Sequence, residues 1–345
     1  MRTAGIVLLF LQLTARACAF APVVREPFGR GLATTVTKNN NDNKFSLVGR
    51  PASRSGDAGG DNNNNVDARV TRLKRELLER IATLKQYQNE DGEIAVDFGV
   101  KGGEIEKKSR VPRKLDFYTV SERVGKAADA ILESVEELSE LNPTVAATAG
   151  MGDKNYGNDG GGGGNDEITA PPLDGPWSLL FSTAADVSFS KDSKRGAARS
   201  KNIVDARRGK MTNVIEFAPA VDEEGNETPK AVNELRVSLK ATAEGPNRVD
   251  LVFKYIAVKF TRFFFLPIRW TLYLPIPGPL IGKTLIGLSN LKNRLLRRTE
   301  ETSDLPKAFF DVVFLDRELR VHRTGEDNLF VQARPDWETA WEIAG

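Results

Sequence analysis

The chain reads as mainly β: an antiparallel meander of about eight strands that curls into a barrel, preceded by helices. Three observations predict it. From Leu173 onward apolar residues recur at every second position, the period of half-buried strands. Short turn-forming clusters separate these runs. Helical periodicity is confined to two segments before Leu173 and one between 281 and 295.

Residues 1–19 form an export signal. Arg2 supplies the positive start, Ile6 to Leu13 the apolar run, and Ala17-x-Ala19 the small-residue cleavage site. The run is too short to span a bilayer as a helix. Residues 20–66 are rich in Asn, Ser, Thr and Gly, with six Lys/Arg against two acids from Ala21 through Ser55, the composition of a plastid transit peptide. Phe20-Ala21-Pro22 at the junction resembles the bipartite presequences of algae with secondary plastids. A secretory signal followed by a plain leader is the alternative.

Without its first 65 or so residues the chain retains about 280, enough for one large domain. The only cysteine is Cys18, inside the signal, and the only histidine is His322. Thiol chemistry and disulfides are thereby excluded from the mature chain, and a zinc site lacks ligands. No metal or other cofactor is expected. Forty-nine basic residues against 47 acidic ones give no general attraction to nucleic acid.

Leu73, Leu77, Ile81 and Leu84 predict a helix over 70–85. Val124, Ala128, Ile131, Val135, Leu138 and Leu141 predict a second over 121–141, stopped by Asn142-Pro143. Residues 86–112 and 146–172, the latter with five consecutive glycines at 160–164, read as flexible surface insertions. Strands begin with Trp177, Leu179 and Phe181. Leu235, Val237, Leu239 and Ala241 form another, joined by Glu244-Gly245-Pro246-Asn247 to Val249, Leu251, Phe253 and Tyr255 as a hairpin. Further strands are expected over 212–217, 269–274, 309–315, 318–323 and 329–334, with residues 336–345 as a tail. An eight-stranded barrel is just wide enough for one small ligand.

Trp177, Phe181, Leu272 and Phe314 alternate into the expected interior, as core packing or as the lining of a lipid cavity. Arg323 falls in phase with Leu319 and Val321, on the face that should be buried. An inward Arg must be paired, and Asp311 or Asp316 is the expected partner. A role in orienting a ligand is the other reading.

Residues 260–298 suggest contact with a membrane. Phe263, Phe264 and Phe265 cluster ahead of an apolar stripe, Ile281, Leu285, Leu288, Leu291 and Leu295, flanked by Lys283, Lys292, Arg294, Arg297 and Arg298. An apolar stripe edged by cations lies flat at a lipid surface. Packing across the barrel is the alternative. Gly282-Lys283-Thr284 imitates a phosphate loop, but Pro277 stands five positions before Gly282 and has no N–H for a phosphate.

Four blocks in order, Leu141-Asn142-Pro143-Thr144, then Leu173-Asp174-Gly175-Pro176-Trp177-Ser178-Leu179-Leu180-Phe181-Ser182-Thr183, then Lys307-Ala308-Phe309-Phe310-Asp311 continuing to Asp316, and Leu319-Arg320-Val321-His322-Arg323 with Phe330-Val331-Gln332-Ala333-Arg334, resemble the fibrillin family of plastid lipid-associated proteins. The resemblance covers residues 68–335. Ala308-Phe309 departs from the family's usual Gly-Trp, Thr324 from its Gly, and residues 283–304 look like a helix-bearing insertion. It implies a lipocalin-like barrel, not an enzyme, that binds or carries hydrophobic molecules such as lipids, isoprenoid quinones or carotenoids. It also implies peripheral association with plastoglobules or thylakoids. The family pattern matches Asp316, Arg320 and Arg323, which adds Arg320 to the ligand candidates. A barrel enzyme acting on an isoprenoid through Asp311 and Asp316, and a coat protein without a cavity, are the alternative functions.

Overall fold

The computed structural model describes residues 60–94, 114–157, 170–184, 197–221, 227–228, 232–261, 269–276 and 308–345. Helix α1 (Gly60–Asp91) buries Leu73, Leu77, Ile81 and Leu84 on one stripe. Helix α2 (Glu122–Ser139) starts at Ser121, whose hydroxyl accepts from the Val124 N–H and donates to Asp91 at the end of α1. Arg123 also pairs with Asp91 and, together with Ser121, holds that carboxyl down at about 2. The two helices are thus joined end to start by charge as well as by their apolar stripes.

The strands are β1 (Gly175–Ser182), β2 (Ala198–Asp205), β3 (Lys210–Phe217), β4 (Ala220–Val221), β5 (Glu227–Thr228), β6 (Val232–Ala243), β7 (Arg248–Phe260), β8 (Trp270–Pro275), β9 (Ala308–Leu315), β10 (Leu319–Thr324) and β11 (Leu329–Ala333). Helix α3 (Glu338–Ala344) follows. Nine strands form one antiparallel sheet, and eight of them close into a ring in the order β6-β3-β2-β1-β11-β10-β9-β7, with β7 returning to β6. Strands β4 and β5 make a separate small sheet. Tight turns set the register: Gly245 takes φ +88° in the β6–β7 turn, and Asp327 φ 61° in the β10–β11 turn.

Strand β7 serves two neighbours along one edge. Residues 248–251 pair with β9 and 255–260 with β8, which lies outside the ring. The β1–β2 pairing is also brief, covering residues 175–178 against 201–204. The β7–β9 and β1–β2 pairings separate a half made of β9, β10, β11 and β1 from a half made of β2, β3, β6 and β7.

The first half carries the helices. Leu319, Val321, Leu329, Val331 and Ala333 pack outward against the buried stripes of α1 and α2 and against Ala340 and Ala344 of α3. Lys74 of α1 reaches Asp316 at 2.7 Å, also pairs with Glu318, and lies 4.8 Å over the Trp337 ring. The ring interior is defined by a cluster with members from all around it, among them Trp177, Met211, Leu239, Val249, Phe310 and Leu315. A further cluster, with Ile215, Leu235, Ile256 and Val258, is joined by Leu272 from β8. The outer face of the second half bears interlocked charges, Lys201 with Glu216 and both Arg236 and Lys259 with Glu234.

The mainly β antiparallel architecture agrees with the alternation in the sequence, and several local expectations are corrected. Residues 86–91 continue α1 instead of starting an insertion. Residues 146–151 are packed, not flexible: Ala147 is fully buried, and Thr148 donates to the carbonyls of Gly245 and Pro246. Strand β2 was not expected, because Arg199, Ser200, Lys201 and Asn202 offer no apolar alternation. The stretch expected as a tail contains α3. The glycine run, the Phe263 to Phe265 cluster and the segment with Lys283, Lys292, Arg294 and Arg297 lie outside the described residues.

Candidate functional site: a charged residue inside the ring

The pleat decides which candidates face inward, and two bulges change its phase. In β1 the register shifts between Leu179 and Phe181, and in β9 an extra residue at Val313 interrupts pairing with β10. Trp177 and Phe310 therefore face the interior, while Phe181 and Phe314 turn outward into the helix-backed core. Phe181 stacks on Phe117 at 5.8 Å. Of the four apolar candidates, only Trp177 lies in the ring's interior cluster. Phe181 and Phe314 lie in the helix-backed core, the packing alternative, with Phe181 also bordering a groove outside the ring, and Leu272 packs from β8 beyond the closed ring.

Both faces of β10 are buried, so the residues between Leu319, Val321 and Arg323 also matter. Arg320 is 1% exposed and lies inside. Its Nε donates to Gln332 Oε1 at 2.9 Å and its Nη2 to Asn202 Oδ1 at 2.8 Å, while Asn202 in turn donates to Asn213. The guanidinium lies 5.1 Å from the Trp177 ring centroid, a cation–π distance. Its Nη1 is buried without a hydrogen-bond partner, and among the described residues no carboxylate pairs with it. Burial and the neighbouring Arg334 guanidinium push its pKa below the usual arginine range. Arg334 itself lies 3.7 Å from the Trp177 centroid.

His322, two residues along the same face, is buried. It stacks on Phe330 at 4.9 Å and lies 4.6 Å from Phe310, and its Nδ1 has no partner. Burial drives its pKa well below the ordinary value, so the imidazole is neutral at physiological pH.

Arg323 is not the inward cation. The β9 bulge puts it opposite Asp311, yet its guanidinium turns to Asp327 and Glu136, each at 2.7 Å, on the outer side. Asp311 takes Arg248 at 2.7 Å, and Asp316 takes Lys74 and the backbone N–H groups of Glu318 and Leu319. The expected pairing of Arg323 with Asp311 or Asp316 is thus replaced by separate ion pairs at each of the three residues. Neither carboxylate faces the interior, where an enzyme of isoprenoids would need them. Among the described residues no group of His, Cys, Asp and Glu could hold a metal.

Sequence reasoning missed His322, Gln332 and Asn202 as members of this cluster. The available signal was a polar residue inside an apolar run, Gln332 between Val331 and Ala333, and the single histidine, His322, beside Val321. Asn202 gave none, because its strand was not recognised.

No curated protein and no solved structure matches this chain. Residues 163–333 match the family model PAP_fibrillin, a span that includes every strand of the ring and the interior cluster of Trp177, Arg320 and Gln332. Over residues 163–333 the chain thus carries a PAP_fibrillin domain.

Proposed function

We propose that the protein binds or carries a hydrophobic molecule, a lipid, isoprenoid quinone or carotenoid, within the ring, and works at plastoglobule or thylakoid surfaces. The PAP_fibrillin domain suggests a plastid lipid-associated protein. The observation that carries the finer reading is Arg320 Nη1, a buried charged donor without an acceptor beside the apolar cluster of the ring interior. A buried charge without a counter-charge costs several kcal/mol. A carbonyl, ester or acid oxygen at the end of an apolar ligand would accept that N–H and offset part of the cost. Gln332 and Asn202 hold the other guanidinium nitrogens, so Nη1 keeps its direction. Phe263 to Phe265 and the cations of 283–298 would supply peripheral contact with the membrane.

The test is to purify the full chain from its native membrane fraction, extract it and identify the bound lipids by mass spectrometry, beside Arg320→Met. The expected result is an oxygen-bearing hydrophobic molecule near one per chain, depleted in the variant. Retention of the same lipid by Arg320→Met, or no lipid above background in the wild type, would remove the support for a ligand inside the ring.

A further inference from the structure

A second site lies outside the ring, where β1 and β2 part. Beyond their short pairing, residues 179–182 of β1 and 198–200 of β2 border a groove of about 870 Å³ roofed by α1 and α3. That volume falls within the range of small-molecule sites. Ile81, Leu84, Leu179 and Trp341 make an apolar wall. Lys85, Arg199 and Lys201 supply cations. Lys201 is neutralised by Glu216 at 2.6 Å, and Glu93, the other acid on the wall, has an interaction of its own. Lys85 and Arg199 have no carboxylate partner among the described residues. Lys85 donates only to the backbone carbonyl of Ala344, and its ammonium is held below its ordinary pKa by burial and by repulsion from Arg199.

Two uncompensated cations at one place beside a long apolar wall fit one kind of occupant. We propose that this groove binds a free single-chain amphiphile with an anionic head, a long-chain carboxylate, with the head between Lys85 and Arg199 and the tail along Ile81, Leu84, Leu179 and Trp341. A carboxylate there makes charge-assisted hydrogen bonds to both cations and relieves their mutual repulsion. A bilayer surface does not reach this site, because the floor residues Leu180 and Phe181 lie buried beneath the helices. The groove shares no side chain with the Arg320 cluster, so the assignment stands or falls independently of a ligand in the ring.

The experiment titrates the full chain with cis-parinaric acid, a fluorescent long-chain carboxylate, and with its methyl ester, both below their aggregation concentrations. Saturable one-to-one binding of the acid is expected, with the ester weaker by roughly tenfold. Arg199→Met and Lys85→Met should each weaken the acid by roughly tenfold and leave the ester unchanged. Arg199 is an exposed strand residue outside the core clusters, so its variant keeps the test valid if Lys85→Met fails to fold. Equal affinity for acid and ester in the wild type overturns the proposal. Unchanged acid affinity in Arg199→Met does the same, as does loss of acid binding in Arg320→Met alone, which would place the ligand in the ring. Arg199-dependent sedimentation with phosphatidylglycerol vesicles, without binding of the monomeric acid, would assign these cations to a membrane surface and also overturn it.

Discussion

Arg320 stands directly opposite Gln332 across the β10–β11 pair, and its Nε donates to the Gln332 side-chain oxygen at 2.9 Å. The amide satisfies a hydrogen bond and supplies no charge. Asn202 does the same from β2, so the guanidinium is oriented by neutral groups and left electrically unbalanced. Structural arginines in apolar cores usually meet a carboxylate. This one meets none among the described residues, and its Nη1 is left without an acceptor.

Arg320→Met should therefore leave the ligand-free protein as stable as wild type or more stable, by about 1–4 kcal/mol, since apolar replacements of unbalanced buried charges gain in this way. Urea denaturation of delipidated protein measures it. A loss above about 2 kcal/mol would show that the hydrogen bonds to Gln332 and Asn202 outweigh the cost of burying the charge.

The only histidine gives the fold an acid-sensitive element. His322 has its pKa lowered by burial, so the unfolded chain takes up a proton that the folded chain refuses. Its contribution is complete above the ordinary value of 6.5 and is lost progressively as pH falls below it, towards the lowered folded value. The slope is about 1.4 kcal/mol per pH unit. His322→Phe, which keeps the stacking with Phe310 and Phe330, should flatten the decline in urea midpoint between pH 6.5 and 5. Parallel declines in the two proteins would show that the imidazole is accessible to protons in the folded state.

Lys74 and Asp316 tie the first helix to the β9–β10 turn. Asp316→Ala removes this pair and the two backbone hydrogen bonds to the same carboxylate, and leaves the Lys74 ammonium, 8% exposed, dependent on Glu318. A cost of about 2–4 kcal/mol is expected. Asp316→Asn keeps an acceptor for the backbone N–H groups and should cost less. Equal melting temperatures for wild type and Asp316→Ala would dismiss the clamp.

Reversing Lys292, Arg294 and Arg297 to Glu should weaken binding to anionic vesicles by well over tenfold at low salt, at about 1 kcal/mol for each cation near the surface. Circular dichroism controls for folding. Equal sedimentation of variant and wild type would assign these cations to solvent and leave Phe263 to Phe265 as the remaining lipid contact.

The strands were legible where a two-residue period met a turn, as in β6, Glu244 to Asn247 and β7. Three things were not. Strand β2 is written in polar residues because one face meets the polar cluster of the interior and the other carries surface charges. The orientations of Phe181 and Phe314 depend on bulges, which insert a residue without a composition signal and reverse every inference drawn from phase. The partner of Arg323 depends on Glu136, 187 positions away in the chain, a helix residue that no strand pattern brings near it. Arg320 came from the pattern of a family, and the physics of its isolation became visible only in three dimensions.

The closure of the ring has a mechanical consequence. Strands β2, β3, β6 and β7 are laced together over most of their lengths, whereas β1–β2, β1–β11 and β7–β9 each pair only four residues of either strand. Such a ring is stiffest across β2, β3, β6 and β7 and most compliant at β7–β9 and on both sides of β1. A widening of the interior would fall first on these short pairings, while the five residue pairs of β10 and β11 would carry Arg320 and Gln332 together.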